Sequence, residues 1–242
     1  MINIKNEYID NNGKLYNIRN INLDEKKDLR DNIGTFVTET KREANYFFDS
    51  EDALTDGVYI YKSNMDPNKA LRIYKDCSNY PYVYHNDIVL ISKLQEKQKN
   101  IKLTEFPTGI ITIQNTIIGQ EIPFYEDYKT LHETIENLNS IKELINYYKK
   151  MLDILIELEN NGMIYTDLHF KNFMVKNNDI KLIDFEDDSI KLDYSESTYK
   201  NMIYMLRNRI NKLNQKLNIE FLIDSNNLKD IKEEIYVKSK RI

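Results

Sequence analysis

Two aspartates and an asparagine lie close together in a segment of the sequence that reads IYTDLHFKNFMVKNNDIKLIDFED. Asp167 is followed five positions later by Asn172, and Asp184 comes after the next alternating apolar run. That alternation is typical of a hairpin with a buried face. Carboxylate and amide side chains are costly to bury unless they bind something ionic. The segment therefore predicts a polar site beside a small sheet.

The three side chains are of the types that phosphoryl transfer requires. Magnesium prefers oxygen ligands from carboxylates, amides and phosphates, which makes Asn172 and Asp184 candidate metal ligands. Asp167 could orient an acceptor hydroxyl or accept its proton. Catalysis of this reaction is mostly positioning plus electrostatic stabilisation of the transferred group. The structural alternative is that Asp167 and Asn172 only cap turns, as such residues often do.

The second half of the sequence has a helical period before and after this segment. A long helix is predicted to begin at Ser140, which can form an S-x-x-E capping box with Glu143, and to end at Asn161-Gly162. The runs FMV and IKLI, joined by KNND, predict the hairpin itself. Two further helices are predicted at residues 199–217 and 228–238.

The first half of the sequence is predicted to be mostly antiparallel sheet with one helix. A hairpin is predicted around Asn12-Gly13, a favoured two-residue turn. A turn at Asp66-Pro67 and another at Gln114-Asn115 each join two strands, and a helix is predicted over 87–98. The strands on either side of Asp66-Pro67 are predicted at residues 58–62 and 70–75. The two halves are predicted to meet near 126–130.

These features predict an α+β protein, and their order resembles the protein-kinase-like superfamily, its atypical bacterial members in particular. The resemblance covers residues 54–188 and implies a bilobal fold. An antiparallel β-sheet N-lobe with one helix and an extra N-terminal hairpin would occupy 1–125. A small, mostly helical C-lobe would occupy 126–242. By resemblance, Asp167 takes the role of the catalytic-loop aspartate. Asn172 and Asp184 take those of the catalytic-loop asparagine and the metal-binding aspartate of D-F-G.

The segment departs from the protein-kinase pattern at several positions. Tyr165 and Thr166 precede Asp167 where protein kinases carry H-R, and His169 stands where they usually have lysine. Glu186 replaces the glycine of D-F-G, and no A-P-E follows. The motifs D-L-H-x-x-N and I-D-F-E also resemble the aminoglycoside and choline phosphotransferases.

The resemblance is less complete for nucleotide binding. Aligning NKALRIYK on V-A-I-K places Arg72 at the phosphate-binding lysine, and DIVLISKL places Asp87 at its helix partner. Both could instead be ordinary surface charges, which contribute little. Gly57 matches the last glycine of G-x-G-x-x-G. The resemblance implies that backbone groups of three consecutive residues contact the adenine edge: Gln120, Glu121 and Ile122.

The resemblance implies an ATP- and Mg²⁺-dependent phosphotransferase that transfers the γ-phosphate to a hydroxyl, with protein serine or threonine as the first expectation. One alternative is a small-molecule kinase similar to the aminoglycoside and choline enzymes. The other is a pseudokinase that binds nucleotide as a scaffold, because Arg72 and the incomplete glycine loop depart from the catalytic pattern.

The bulk properties narrow the classes of function. The chain has 242 residues, 41% of them apolar, and a formal charge of −5, which gives no electrostatic case for nucleic acid. Cys77 is the single cysteine and the three histidines are dispersed, so neither a disulfide nor a zinc site is expected. The sequence begins without a secretory pattern and has no apolar run long enough to span a bilayer, so we expect a cytoplasmic protein without a membrane partner.

Overall fold

The chain forms a mixed α/β structure. We analysed a computed structural model, which describes residues 8–9, 15–16, 18–21, 37–43, 58–63, 66–74, 83–113, 116–138, 140–186 and 188–240. Five α-helices, small sheets and one short 3-10 helix lie within these residues. The chain divides into two compact units. The first comprises Met1–Gln98 and Phe106–Glu126, and the second comprises Lys99–Glu105 and Asp127–Ile242.

The first unit contains a six-stranded sheet with the order β3-β7-β8-β6-β5-β4. Its strands are β3 (Ile18–Ile21), β4 (Val37–Glu43), β5 (Val58–Ser63), β6 (Lys69–Tyr74), β7 (Gly109–Ile113) and β8 (Thr116–Pro123). Every neighbouring pair is antiparallel except β3 and β7, which are parallel. The parallel pair was not predicted, because Ile18 and its partner Ile110 are distant in sequence.

The predicted hairpins of the first unit are confirmed. β1 (Tyr8–Ile9) and β2 (Leu15–Tyr16) pair antiparallel, although the Asn12-Gly13 turn lies outside the described residues. β5 and β6 also pair antiparallel. In the turn before β6, the Asp66 carboxylate accepts a hydrogen bond from the Asn68 backbone N–H at 2.9 Å, which is the local bond that favours Asp in turns. The Gln114-Asn115 turn is also outside the described residues.

The helix α1 (Val83–Gln98), which lies among the described residues of the first unit, begins four residues before the predicted start. Its buried residues include Ile91 and Leu94, as the apolar stripe predicted, and also Leu90. At its end, the Gln98 side chain accepts a hydrogen bond from the Phe106 backbone N–H at 2.8 Å. This bond fixes the point where the chain returns toward β7.

Four helices belong to the second unit: α2 (Leu131–Glu136), α3 (Ile141–Asn160), α4 (Glu196–Lys216) and α5 (Leu228–Ser239). α3 has the predicted bounds and supplies much of the core, with Tyr148, Leu152 and Leu155 all at most 2% exposed. α4 begins three residues before the predicted start because the Ser195 hydroxyl caps it, accepting a hydrogen bond from the Thr198 N–H at 3.1 Å.

The capping box predicted at the start of α3 is only half formed. Ser140 accepts the Glu143 N–H at 3.2 Å, but the Glu143 carboxylate accepts the Tyr147 hydroxyl at 2.9 Å instead of returning to Ser140. A complete box caps α2, where Thr130 and Glu133 exchange hydrogen bonds of 2.8 and 3.1 Å. The hydrogen bond from Tyr147, one turn further along α3, therefore holds the Glu143 carboxylate away from Ser140.

Two small antiparallel sheets of the second unit hold the segment that carries Asp167, Asn172 and Asp184. β9 (Lys129–Thr130), β11 (Phe173–Lys176) and β12 (Asp179–Leu182) form one sheet, with β11 in the middle. β10 (Ile164–Tyr165) and β13 (Ile190–Lys191) form the other. The predicted hairpin is confirmed as β11 and β12.

The short segment Lys99–Glu105 belongs to the second unit, although it follows α1 in the chain. The Glu157 carboxylate on α3 accepts hydrogen bonds from the Lys102 and Leu103 backbone N–H groups at 3.0 and 2.9 Å. The Thr104 hydroxyl, which is buried, donates to the Leu182 carbonyl at 3.2 Å. The sequence did not predict that this segment belongs to the second unit.

None of the helices within the described residues is long and apolar enough to cross a membrane.

Candidate active site

The loop that carries Asp167 is fixed by backbone hydrogen bonds at both ends. It leaves β10, where Thr166 N–H donates to the Ser189 carbonyl at 2.7 Å, and leads into the 3-10 helix Phe170–Asn172. Within it, Leu168 is 1% exposed and anchors the loop in the core. The Asn172 N–H donates to the His169 carbonyl at 2.9 Å. The loop therefore holds its polar side chains in defined positions.

The side chains of Asn172 and Asp167 form a direct hydrogen bond. Asn172 Nδ2 lies 2.7 Å from Asp167 Oδ2 and 3.0 Å from the Asp167 carbonyl oxygen. Because both partners are acceptors, the nitrogen of the Asn172 amide must face Asp167, and the amide oxygen is the atom left to accept from or coordinate a ligand. Asn172 is 4% exposed, whereas the Asp167 side chain is 41% exposed. The pair thus combines a buried orienting amide with an accessible carboxylate.

Asp184 follows β12 and is tied to the same loop. The preceding residue, Ile183, donates its N–H to the Asn172 carbonyl at 2.9 Å. Asp184 itself has φ of 68°, in the left-handed region that is uncommon for a residue with a side chain. Its backbone oxygen accepts the Ser189 hydroxyl at 2.6 Å and lies 3.2 Å from the Tyr165 hydroxyl. Such a conformation costs free energy and is kept where the surrounding contacts favour it.

The charges of both aspartates act on the buried hydroxyl of Tyr165. Tyr165 is 1% exposed, and its hydroxyl is shared between the carbonyls of Ile183 and Asp184 at 3.0 and 3.2 Å. Burial raises the pKa of Tyr165 well above 10, and the negative charges of Asp184 and then Asp167 raise it further. Both carboxylates therefore lie within electrostatic range of one buried hydroxyl.

The donor set fits magnesium better than a metal enclosed entirely by protein ligands. Asn172 and Asp184 offer an amide and a carboxylate, which are hard oxygen donors. Across the part of the chain that the structure describes, no three or more His, Cys, Asp or Glu side chains gather in a metal-binding arrangement. Magnesium typically takes only one or two protein carboxylates and completes its shell with water and phosphate oxygens. Asn172 and Asp184 could hold such an ion together with a bound phosphate.

Arg209, which the sequence did not predict as a site residue, lies in α4 beside His169. Arg209 Nη2 is 2.9 Å from His169 Nε2, and Nη1 is 3.2 Å from Nδ1. His169 Nε2 is also 3.6 Å from Asp167 Oδ1. Partial burial lowers the pKa of His169 below 6.5, and the Arg209 charge lowers it further. A neutral imidazole has one acceptor nitrogen, so one of the two contacts is a hydrogen bond donated by Arg209.

The structure describes only some of the nucleotide-binding residues predicted in the first unit. Arg72 lies in β6, half-buried and in register with Gln120 of β8. Asp87 lies in α1, but its side chain is outside the described residues, and Gly57 is outside them as well. The roles of Gly57, Arg72 and Asp87 stay predictions.

The residues expected to contact adenine, Gln120, Glu121 and Ile122, lie in the sheet of the first unit. All three lie inside β8, which has β7 on one side and β6 on the other. The register pairs Gln120 with Arg72 and with Ile110, and Glu121 likewise faces partners on both sides. Backbone groups in such a ladder are engaged in the sheet's own hydrogen bonds. In addition, the Gln120 side chain is 1% exposed. Ile122, one residue further along β8, pairs with Ala70 of β6 and has no partner in the β7 register. The contact of these three residues with adenine stays a prediction.

No protein-family model matches this sequence, and a search of curated proteins finds no match.

Proposed function

We propose that this protein is an ATP- and Mg²⁺-dependent phosphotransferase with an atypical, bilobal protein-kinase-like fold. It would transfer the γ-phosphate of ATP to a hydroxyl, on a protein serine or threonine. The observation that carries the proposal is the hydrogen bond of 2.7 Å from Asn172 Nδ2 to Asp167 Oδ2, together with the hairpin that returns Asp184 to the same loop. This arrangement leaves the Asp167 carboxylate accessible and orients the amide oxygen of Asn172.

The roles of the residues follow from their environments. Asp167 Oδ2 accepts from Asn172, so Oδ1 is the oxygen that would accept the proton of an incoming hydroxyl or orient it. Asn172 and Asp184 would hold magnesium, which when bound supplies positive charge that offsets the charge of the phosphates. The left-handed backbone of Asp184 and its hydrogen bonds to Tyr165 and Ser189 keep that carboxylate in place without reorganisation during the reaction.

The test is Mg²⁺-dependent turnover of ATP by the purified protein with a panel of hydroxyl acceptors. Asp167→Asn and Asp184→Asn are the informative variants, because each removes a charge while keeping size. We expect each to lower turnover by at least about 100-fold. Asp193→Asn is the matched control, since Asp193 is exposed and lies in the same unit. Equal turnover by the wild type and both variants would contradict the proposal. Nucleotide binding without turnover in the wild type would favour the scaffold function instead.

A further inference from the structure

The helix α4 presents a stripe of basic residues on one face. α4 carries five basic residues and one acidic residue, in a protein whose formal charge is −5. Arg209, Lys212 and Lys216 follow at spacings of three and four, which places them on one side of the helix. Met205, one turn before Arg209, lies on the same side and is 40% exposed. We call the three basic residues, Arg209, Lys212 and Lys216, the α4 stripe.

The other two basic residues of α4 have local partners. Lys200 forms an ion pair of 2.7 Å with Glu196, one turn earlier. Arg207 donates at 2.9 Å to the Asp224 carbonyl and to the Asn226 side chain. Lys212 and Lys216 are exposed, and neither forms an ion pair with any residue that the structure describes. Their charges are therefore available to a binding partner.

One end of the α4 stripe reaches the candidate catalytic carboxylate. Arg209 contacts the His169 ring through both terminal nitrogens, and His169 Nε2 is 3.6 Å from Asp167 Oδ1. From Arg209 to Lys216 the stripe extends for about 10 Å along the helix. A ligand bound along it would therefore have one end beside Asp167. That length exceeds the reach of a single small charged group and suits several residues of an extended polypeptide.

We infer that the acceptor of the proposed reaction is an acidic polypeptide segment, whose serine or threonine hydroxyl lies at Asp167 while its carboxylates lie along Arg209, Lys212 and Lys216. The inference rests on the proposed function and specifies its substrate class. Arginine pairs with carboxylates through two parallel hydrogen bonds, and the donors that Arg209 does not direct to His169 can do so. Cationic acceptors such as choline or an aminoglycoside would face like charges at the same place, which costs binding free energy.

The catalytic experiment compares a serine peptide flanked by glutamates with the same peptide flanked by lysines. Choline, an aminoglycoside and glycerol 3-phosphate serve as small acceptors of either charge. The double variant Lys212→Gln/Lys216→Gln removes two charges remote from the reacting atoms. We expect it to raise KM for the acidic peptide about fivefold while kcat is unchanged, and to abolish most of the salt dependence of KM. Arg207→Gln, on the same helix, should leave both parameters unchanged.

A binding experiment separates this inference from the proposed function. The acidic peptide with alanine in place of serine cannot react, so its affinity is measured by fluorescence anisotropy without ATP. We expect tighter binding than for the lysine peptide, and weaker binding by the Lys212→Gln/Lys216→Gln variant. If this pattern holds but no acceptor is phosphorylated, the acidic-peptide surface stands and the phosphotransferase proposal fails. If ATP turnover occurs but acidic and basic peptides bind and react equally, or a small alcohol is the sole acceptor, the inference is overturned and the phosphotransferase proposal stands.

Discussion

The buried hydroxyl of Tyr165 lies 3.2 Å from the backbone oxygen of Asp184, and so contacts a residue held in the left-handed conformation. The same oxygen accepts the Ser189 hydroxyl at 2.6 Å. Two side chains from the β10–β13 region therefore fix the backbone of a candidate magnesium ligand. An unfavourable local conformation enforced by buried hydrogen bonds is the pattern expected where function, not stability, selects the residue.

Replacing Asp184 should separate stability from activity. Glycine adopts φ of 68° without steric cost, whereas alanine does not. We expect Asp184→Gly to be more stable than Asp184→Ala by about 1 kcal/mol, measured by urea unfolding. Both variants lack the carboxylate, so both should lose Mg²⁺-dependent turnover. Equal stability of the two variants would show that the left-handed backbone is not retained when the side chain is removed.

Removing the Tyr165 hydroxyl should leave the backbone of Asp184 less firmly held, because it removes a hydrogen bond to the Asp184 carbonyl. Tyr165→Phe keeps the buried ring but deletes the donor shared by the Ile183 and Asp184 carbonyls. We expect a loss of about 1 kcal/mol in the free energy of unfolding. The Mg²⁺ concentration for half-maximal turnover should rise several-fold, because the ligand is less firmly positioned. Tyr204→Phe is the control, since Tyr204 is 58% exposed. A Tyr165→Phe protein with unchanged Mg²⁺ dependence would argue against this positioning role.

The pKa of His169 should report the presence of Arg209. Partial burial and then the Arg209 charge lower this pKa below 6.5, while Asp167 opposes them. Below about pH 6.5 the unfolded chain therefore takes up a proton that native His169 does not, so this residue's contribution to stability decreases as the pH falls. In Arg209→Gln we expect the pKa of His169 to rise, measured from its imidazole C–H signals by NMR.

The matched control for that titration is Arg207→Gln. Arg207 lies on the same helix but binds Asp224 and Asn226, so the pKa of His169 should not change in this variant. The chain has only three histidines, which makes assignment of the signals practicable. An unchanged pKa in Arg209→Gln would mean that the two side chains do not stay in contact in solution.

The sequence predicted those parts of the second unit that depend on local signals. The alternation of apolar residues around KNND predicted the β11–β12 hairpin, and Asn161-Gly162 predicted the end of α3, where Gly162 has φ of 72°. Each of these depends on side chains a few residues apart. The Asp167–Asn172 hydrogen bond also lies within one short loop, so their spacing was informative.

Contacts between distant residues were not predictable in this way. His169 and Arg209 are forty positions apart, and nothing in the spacing of α4 indicates which of its basic residues would reach the loop. The parallel pairing of β3 with β7 and the hydrogen bonds that the Lys102 and Leu103 N–H groups donate to Glu157 are of the same kind. In each case the partner is decided by packing of the whole unit rather than by local propensity.

Glu234 in α5 should contribute to stability in a pH-dependent manner. Burial alone would raise its pKa, but hydrogen bonds from Lys238 and Ser225, with a smaller one from Asp224, outweigh it and lower the pKa from 4.5 to about 2. A lowered pKa stabilises the native state above pH 4.5, and this stabilisation is lost as the pH falls from 4.5 toward 2. We expect Glu234→Gln to lower the free energy of unfolding at pH 7 by about 1–2 kcal/mol.

The pH dependence of that difference distinguishes a lost charge from altered packing. Urea unfolding at pH 7, 5 and 3 should show the wild type and Glu234→Gln approaching each other as Glu234 of the unfolded chain becomes protonated. Glu233→Gln is the control, because Glu233 is exposed and adjacent, and it should match the wild type throughout. A difference that stays constant from pH 7 to pH 3 would mean that the Glu234 side chain stabilises the loop at Asp224 and Ser225 by its shape and not by its charge.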